Sequence, residues 1–111
     1  MSKDYKILAG HILESIEWIE KYTKNMSEDD FVKSTQIQDS VIRRLEIIGE
    51  AIGNFPEEVK KGYRHIQWDE ISGMRNFLIH EYFGVDFYLV WETVKDDIPK
   101  LKEQMKKIIE N

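Results

Sequence analysis

Between Gln36 and Gly53, apolar residues recur every three or four positions, and this spacing constrains the fold more than any other feature of the sequence. The apolar set is Ile37, Val41, Leu45, Ile48 and Ile52. A helix with about 3.6 residues per turn places such positions on one face. A second stripe is polar and comprises Asp39, Arg43, Glu46 and Glu50. The sequence therefore predicts an amphipathic helix that ends at Gly53-Asn54.

The remaining segments show helical spacing too. One helix is predicted from Asp4 to about Tyr22, and a second begins at or just after Ser27, where a capping serine precedes acidic residues. A short helix follows Pro56 and closes near Gly62. The next is predicted to start near Trp68 or Asp69 and to end around His80.

The C-terminal part is predicted to contain two more helical segments. Asp86 is a candidate N-cap, a kink is expected at Ile98-Pro99 because proline has no N–H, and residues 101–109 are amphipathic. No segment alternates with the period of a strand. The predicted fold is an all-α bundle, and residues 1–111 are expected to form one domain.

The composition of the sequence excludes several kinds of site and function. The sequence has no cysteine, so disulfides and thiolate chemistry are excluded. Asp, Glu and His occur at no compact ligand spacing, so we expect no metal site and no cofactor. Acidic residues interrupt the first twenty positions, and no apolar run is long enough to cross a membrane. A cytoplasmic protein is the expectation.

The formal net charge of -5 argues against sequence-independent binding of nucleic acid. A nuclease built on this chain would have to concentrate its positive charge locally. Arg43, Arg44, Arg64 and Arg75 would do so if they converged in space.

The segment from Arg75 to Tyr82 places a fixed cation, a titratable base and a phenol closer together than any other part of the sequence. Arginine offers a permanently charged fork of donors to phosphate oxygens, and histidine exchanges protons near neutral pH. On a helix, Arg75 and His80 would lie about 140° apart at about 100° per residue. Between them fall Ser72, Asn76 and Ile79. The residues predicted to face the core from the opposite side are Ile71, Met74, Phe77 and Leu78.

The sequence resembles the HepT-like toxins of the HEPN superfamily. The resemblance rests mainly on residues 73–86, GMRNFLIHEYFGVD, and is supported by residues 43–51, RRLEIIGEA, and 90–94, VWETV. An arginine and a histidine at this spacing would alone be weak evidence for the family. The match becomes specific because the similarity continues through Tyr82 and Gly84.

This resemblance implies a HEPN-type up-down bundle that forms a homodimer and cleaves RNA without metal in a shared cleft. The catalytic motif carries over as Arg75, Asn76 and His80. His80 would act as base or acid, Arg75 would stabilise the charged intermediate, and Asn76 would orient His80 or a phosphate oxygen. A two-fold dimer would supply a second histidine.

The resemblance also implies control by a minimal nucleotidyltransferase, the cognate antitoxin, which attaches AMP to the tyrosine two places after the histidine. Here that tyrosine is Tyr82, whose plainer reading is packing against Trp91. The polar stripe has two readings as well. It is either a solvated face or part of a cleft lining with Arg43, Arg44 and Glu46, in which Arg43 or Arg44 would touch RNA or ATP.

The sequence leaves two hypotheses about function open. The first is a ribonuclease toxin, which the intact Arg75, Asn76 and His80 set favours. The second is a binding module or accessory subunit of a nucleotidyltransferase, which the acidic charge favours. His11 is expected at the edge of the core, no role is assigned to His65, and the three tryptophans are expected to be core or interface anchors.

Overall fold

The computed structural model describes the backbone of residues 4–80 and 84–111, and the side chains of residues 5–74 and 84–111. Its helices are α1 (Asp4–Tyr22), α2 (Glu28–Lys33), α3 (Thr35–Gly53), α4 (Glu57–Gly62), α5 (Trp68–His80), α6 (Phe87–Glu92) and α7 (Ile98–Glu110). The described ranges contain no strand. The prediction of an all-α fold is confirmed.

Local capping sets several helix bounds. The Ser27 hydroxyl accepts from the Asp30 backbone N–H at 3.1 Å, and the Asp30 carboxylate accepts from the Ser27 N–H at 3.1 Å. The backbone N–H of Ser27 is the main cause of a lowered Asp30 pKa. Asp86 caps α6 by accepting from the N–H groups of Tyr88 and Leu89. The predicted caps at Ser27 and Asp86 are confirmed.

The four long helices α1, α3, α5 and α7 form the bundle, with α3 packed between α1 and α5, and α7 against α1. At one end of the bundle, Lys102 Nζ of α7 lies 2.9 Å from a Glu20 carboxylate oxygen of α1. At another point, Asn111 donates to the Tyr63 hydroxyl at 2.8 Å, which ties the end of α7 to the segment before α5. These contacts fit helices that run alternately up and down.

The core is one apolar cluster. From α1 it takes Ala9, Ile12, Ile16 and Ile19, from α3 Val41, Ile42, Leu45, Ile48, Ala51 and Ile52, and from α7 Ile98, Leu101, Met105 and Ile108. Two of the three tryptophans, Trp68 and Trp91, are buried in it. Trp18 is 37% exposed and Ile7 is 58% exposed, so the apolar stripe of α1 is wider than the part that the core covers.

The region around Pro99 differs in detail from the predicted kink. A π-helical turn at Thr93–Asp97 joins α6 to α7, and the Ile98 N–H donates to the Thr93 carbonyl five residues earlier. Pro99 then occupies the first turn of α7, where its missing N–H leaves no intrahelical bond unmade. The wider π-helical turn before Pro99 thus accommodates the proline within the helix.

Within residues 4–80 and 84–111, none of the helices combines the length and the apolar character needed to span a membrane.

Candidate active site

The start of α5 is fixed by a tryptophan. Trp68 is buried, its ring centroid lies 5.0 Å from that of Phe55, and its Nε1–H donates to the Tyr63 carbonyl at 3.0 Å. The helix begins at this residue, as predicted, and runs to His80. Positions 75, 76 and 80 therefore lie on the C-terminal half of a helix whose first turn is anchored in the core.

A close contact shows which side of α5 meets α3. A Cβ built on Gly53 of α3 would lie 2.8 Å from the Ser72 hydroxyl oxygen of α5. Ser72 is half-buried and falls about 60° from Arg75, inside the arc that leads to His80. The middle of that arc therefore packs on α3. The packed surface of α5 thus extends to Ser72, on the side predicted to lie opposite the core-facing residues.

The Gly53–Ser72 contact also gives the register of the two helices. Because α3 ends at Gly53 and its contact with α5 is extensive, α5 must run back along α3 from Ser72. At a rise of about 1.5 Å per residue, position 75 then lies near the level of Glu50, and position 80 near that of Glu46. We call this contact region between α3 and α5 the α3/α5 seam.

The polar stripe of α3 lies on the side of that helix which faces the seam. Glu46 is about 20° and Glu50 about 60° from Gly53 around the α3 axis, and Arg43 is about 80° away. Glu46 is half-buried, whereas Arg43 and Glu50 are exposed. Glu46 is therefore partly covered, as a residue on a wholly solvated face would not be.

Arg44 does not face the seam. It lies about 180° from Gly53 around α3, and its guanidinium carbon sits 5.7 Å from the centroid of the Trp18 ring of α1. Lys21 Nζ lies over the same ring at 4.6 Å. Arg44 thus makes a cation–π contact on the side of α3 away from the seam, whereas Arg43 and Glu46 lie on the side nearer to it.

Arg64, which precedes α5, and Arg43, on α3, lie near opposite ends of the α3/α5 seam. Arg64 lines an open pocket at the start of α5 together with Lys60 and Lys61. Position 64 is near the first turn of the helix, whereas Arg43 lies about 15 Å along α3 from Gly53. The described arginines therefore do not converge, and Arg64 lies instead in a basic cluster with Lys60 and Lys61.

The remaining candidates are placed as follows. His11 is exposed on α1 and not at the edge of the core, and exposed His65 has its ring centroid 6.3 Å from that of Tyr63. The side chains of Arg75, Asn76 and His80, and the whole of Tyr82, lie outside the described residues. In the part of the chain with described side chains, no three His, Asp or Glu residues gather closely enough to hold a metal ion.

Sequence reasoning missed the role of the glycines in α3. The sequence pattern indicates Gly53 only as the end of the helix, yet Gly53 lies against Ser72 of α5, and Gly49, one turn earlier, is buried. The signal was present, since two glycines four residues apart on one helix face allow another helix to approach closely. Their alignment with Glu46 would have placed that carboxylate beside α5.

The chain is similar in sequence to proteins of one ribonuclease family. The model of the HepT-like ribonuclease family matches residues 12–108. A Methanocaldococcus jannaschii protein named "Gamma-glutamylcyclotransferase and putative RNase" is 61% identical over 110 residues, which are 99% of this chain and 50% of that protein. The chain thus spans about half the length of this relative.

Two further relatives match over most of their own length. A Thermococcus cleftensis protein named "Probable ribonuclease HepT" is 44% identical over 97% of this chain and 98% of its own. A Caldanaerobacter subterraneus protein named "Putative RNase" is 44% identical over 90% of this chain and 89% of its own. No solved structure matches significantly. The chain belongs to the HepT-like ribonuclease family.

Proposed function

We propose that this protein is a metal-independent endoribonuclease that cuts RNA through Arg75, Asn76 and His80, and that it is the toxin of a toxin–antitoxin pair in the cytoplasm. The observation that carries the proposal is the course of α5, which takes these three positions along the α3/α5 seam, level with Glu50 and Glu46 of α3. Membership of a ribonuclease family supports it.

The chemistry needs two proton transfers and one cation. A base removes the proton of a ribose 2′-OH, the 2′-oxygen attacks the adjacent phosphorus, and an acid protonates the departing 5′-oxygen. The products are a 2′,3′-cyclic phosphate and a 5′-OH. Arg75 stabilises the extra negative charge on the phosphate oxygens at the transition state, and Asn76 orients His80 or a phosphate oxygen.

A homodimer would provide the second proton-transfer group. Gly73 is exposed and lies on the same side of α5 as positions 76 and 80, about 160° from Arg75. A second copy could therefore approach this side and bring its own His80 into one cleft. Light scattering at tens of micromolar should give twice the monomer mass, and a strict monomer at that concentration would remove the two-histidine mechanism.

Growth arrest tests the catalytic residues in cells that lack the antitoxin. We expect Arg75→Ala and His80→Ala to abolish toxicity, because each removes a group that acts in the transition state. The matched controls are Arg44→Ala and His11→Ala, which lie away from the seam and should remain toxic. Full toxicity of an Arg75 or His80 variant would refute the role of that residue.

Adenylylation of Tyr82 by the cognate nucleotidyltransferase is the proposed means of neutralisation. An AMP group two residues past His80 would add phosphate charge where an RNA phosphate must bind. After incubation with that enzyme and ATP, intact-mass analysis should show added AMP on wild type and none on Tyr82→Phe, which should stay toxic. A Tyr82→Phe protein that is still modified and neutralised would place the acceptor elsewhere.

The alternative is a binding module that presents itself to a nucleotidyltransferase without cutting RNA. The formal net charge of -5 favours it. The two proposals differ in one result, because a binding module would leave RNA intact with or without Arg75 and His80.

A further inference from the structure

A cavity of about 380 Å³ lies between the N-terminal half of α5 and the start of α7. Its apolar lining comes from Ile71 and Met74 of α5 and from Ile98 and Leu101 of α7. On α5, Ile71 and Met74 lie about 40° and 100° from Arg75, on the side away from Ser72. The cavity is therefore separate from the α3/α5 seam, yet it reaches the residue that directly precedes Arg75.

The polar lining is rich in acceptors. Glu70 and Asp97 contribute carboxylates from opposite sides, and Gln67 and Gln104 contribute amides that can both donate and accept. Apolar walls with a few such polar groups, in a space of this size, are typical of sites for small organic molecules. Flat rings with hydrogen-bonding edges fit this lining best, because their faces can pack on the apolar side chains.

The π-helical turn contributes to the same cavity. Thr93 and Asp97, its first and last residues, both line the cavity. The Thr93 hydroxyl donates to the Leu89 carbonyl at 3.0 Å, which holds the side chain of Thr93 against its own helix. Single π-turns inside helices occur frequently at functional sites, because they redirect side chains without ending the helix.

We propose that this cavity is a nucleobase subsite for the RNA substrate and that it prefers guanine. The proposal rests on the ribonuclease function and deepens it. Guanine alone offers two adjacent donors, N1–H and N2–H, on its Watson–Crick edge, and one carboxylate accepts both. Adenine and cytosine offer one donor beside an acceptor, and uracil one donor between two acceptors. Glu70 and Asp97 therefore match guanine better than any other base.

The charge of the cavity lining indicates that the phosphates of the RNA bind outside the cavity. Glu70 and Asp97 share the cavity with one permanent cation, Lys100, and with the titratable His65, so the two carboxylates do not favour a phosphate there. The neighbouring open pocket shares Gln67 and Glu70 with the cavity and adds Asp69 together with the basic cluster Lys60, Lys61 and Arg64. An RNA strand whose base enters the cavity would run its backbone along this basic edge, as strands do in other binding grooves.

Titration with uncharged nucleosides tests the base preference without a phosphate. By calorimetry, guanosine should bind wild type more tightly than adenosine, cytidine or uridine. Glu70→Gln and Asp97→Asn should each weaken guanosine binding about fivefold, because each replaces a charged acceptor by a neutral one. Glu103→Gln, at an exposed position of α7 paired with Lys106, should bind as wild type does. Equal affinity for all four nucleosides, or no effect of either cavity variant, would overturn the proposal.

Mapping of cut sites in RNA separates this proposal from the nuclease function. Wild type should cut with a guanine preference at one position near the scissile bond, and Asp97→Asn should lose that preference while it still cuts. Cutting without any base preference, unchanged in Asp97→Asn, would refute the subsite and leave the nuclease intact. Guanosine binding as expected without any cutting would refute the nuclease and leave the base site standing.

Discussion

At the scale of single residues, Gly53 lies against the Ser72 hydroxyl where α3 meets α5. With only 2.8 Å between a Cβ at position 53 and the Ser72 hydroxyl oxygen, any side chain at 53 forces the serine to move. Gly53 has no positive φ, so its backbone conformation is one that alanine also adopts. The glycine is therefore needed for space and not for its backbone freedom.

We expect Gly53→Ala to be less stable than Gly62→Ala by about 1 kcal/mol, because overpacking opposes the gain from a stiffer unfolded chain. Gly62 ends α4, and a Cβ there would meet nothing within 4 Å. Combining Gly53→Ala with Ser72→Ala should recover the difference, since the Ser72 Cβ itself is 3.8 Å away. Denaturant unfolding of the single and double variants measures this coupling, and strictly additive effects would contradict it.

At the scale of elements, α5 depends on its first turn. Trp68 joins the helix start to Phe55 by ring packing and to the Tyr63 carbonyl by a hydrogen bond. The turns that carry positions 75, 76 and 80 continue from this anchored first turn. A loosened first turn would displace the motif as a unit.

Trp68→Phe should lower the free energy of unfolding by about 1–3 kcal/mol, because it removes buried ring area and leaves a partly buried carbonyl without its donor. Trp18→Phe is the matched control, since Trp18 is 37% exposed and donates no hydrogen bond that fixes a helix end. We expect it to cost less than half as much. Chemical denaturation measures the free energy of unfolding of both variants. Equal losses would show that Trp68 stabilises the protein no more than Trp18 does.

Local signals were enough to predict most helix bounds. The caps at Ser27 and Asp86, the glycines at positions 53 and 62, and the start at Trp68 all act within a few residues along the chain. The neighbours of each face were not predictable, because periodicity tells which residues share a face but not which helix covers it. For this reason the sequence could not tell whether Arg44 belongs to a solvated face or to a cleft lining.

At the scale of the whole molecule, four long helices close a bundle in which α5 contacts α3 on one side and borders the cavity toward α7 on another. The protein is acidic overall, with a formal net charge of -5, and its basic cluster of Lys60, Lys61 and Arg64 lies at one end of α5. An RNA-cutting enzyme of this charge needs such a local cluster to hold the backbone. The proposed catalytic positions lie on α5, and the proposed base cavity is lined in part by the same helix.

Cleavage of a defined RNA in the presence of a metal chelator tests the central claim most directly. Wild type should cut the RNA and leave 2′,3′-cyclic phosphate and 5′-OH ends, whereas Arg75→Ala and His80→Ala should lose at least about a hundredfold in rate, the scale of one lost acid–base or charge-stabilising group. Circular dichroism should show that both variants keep their helices. A folded wild-type protein that leaves RNA uncut, or that cuts it equally well without Arg75 and His80, would contradict the account.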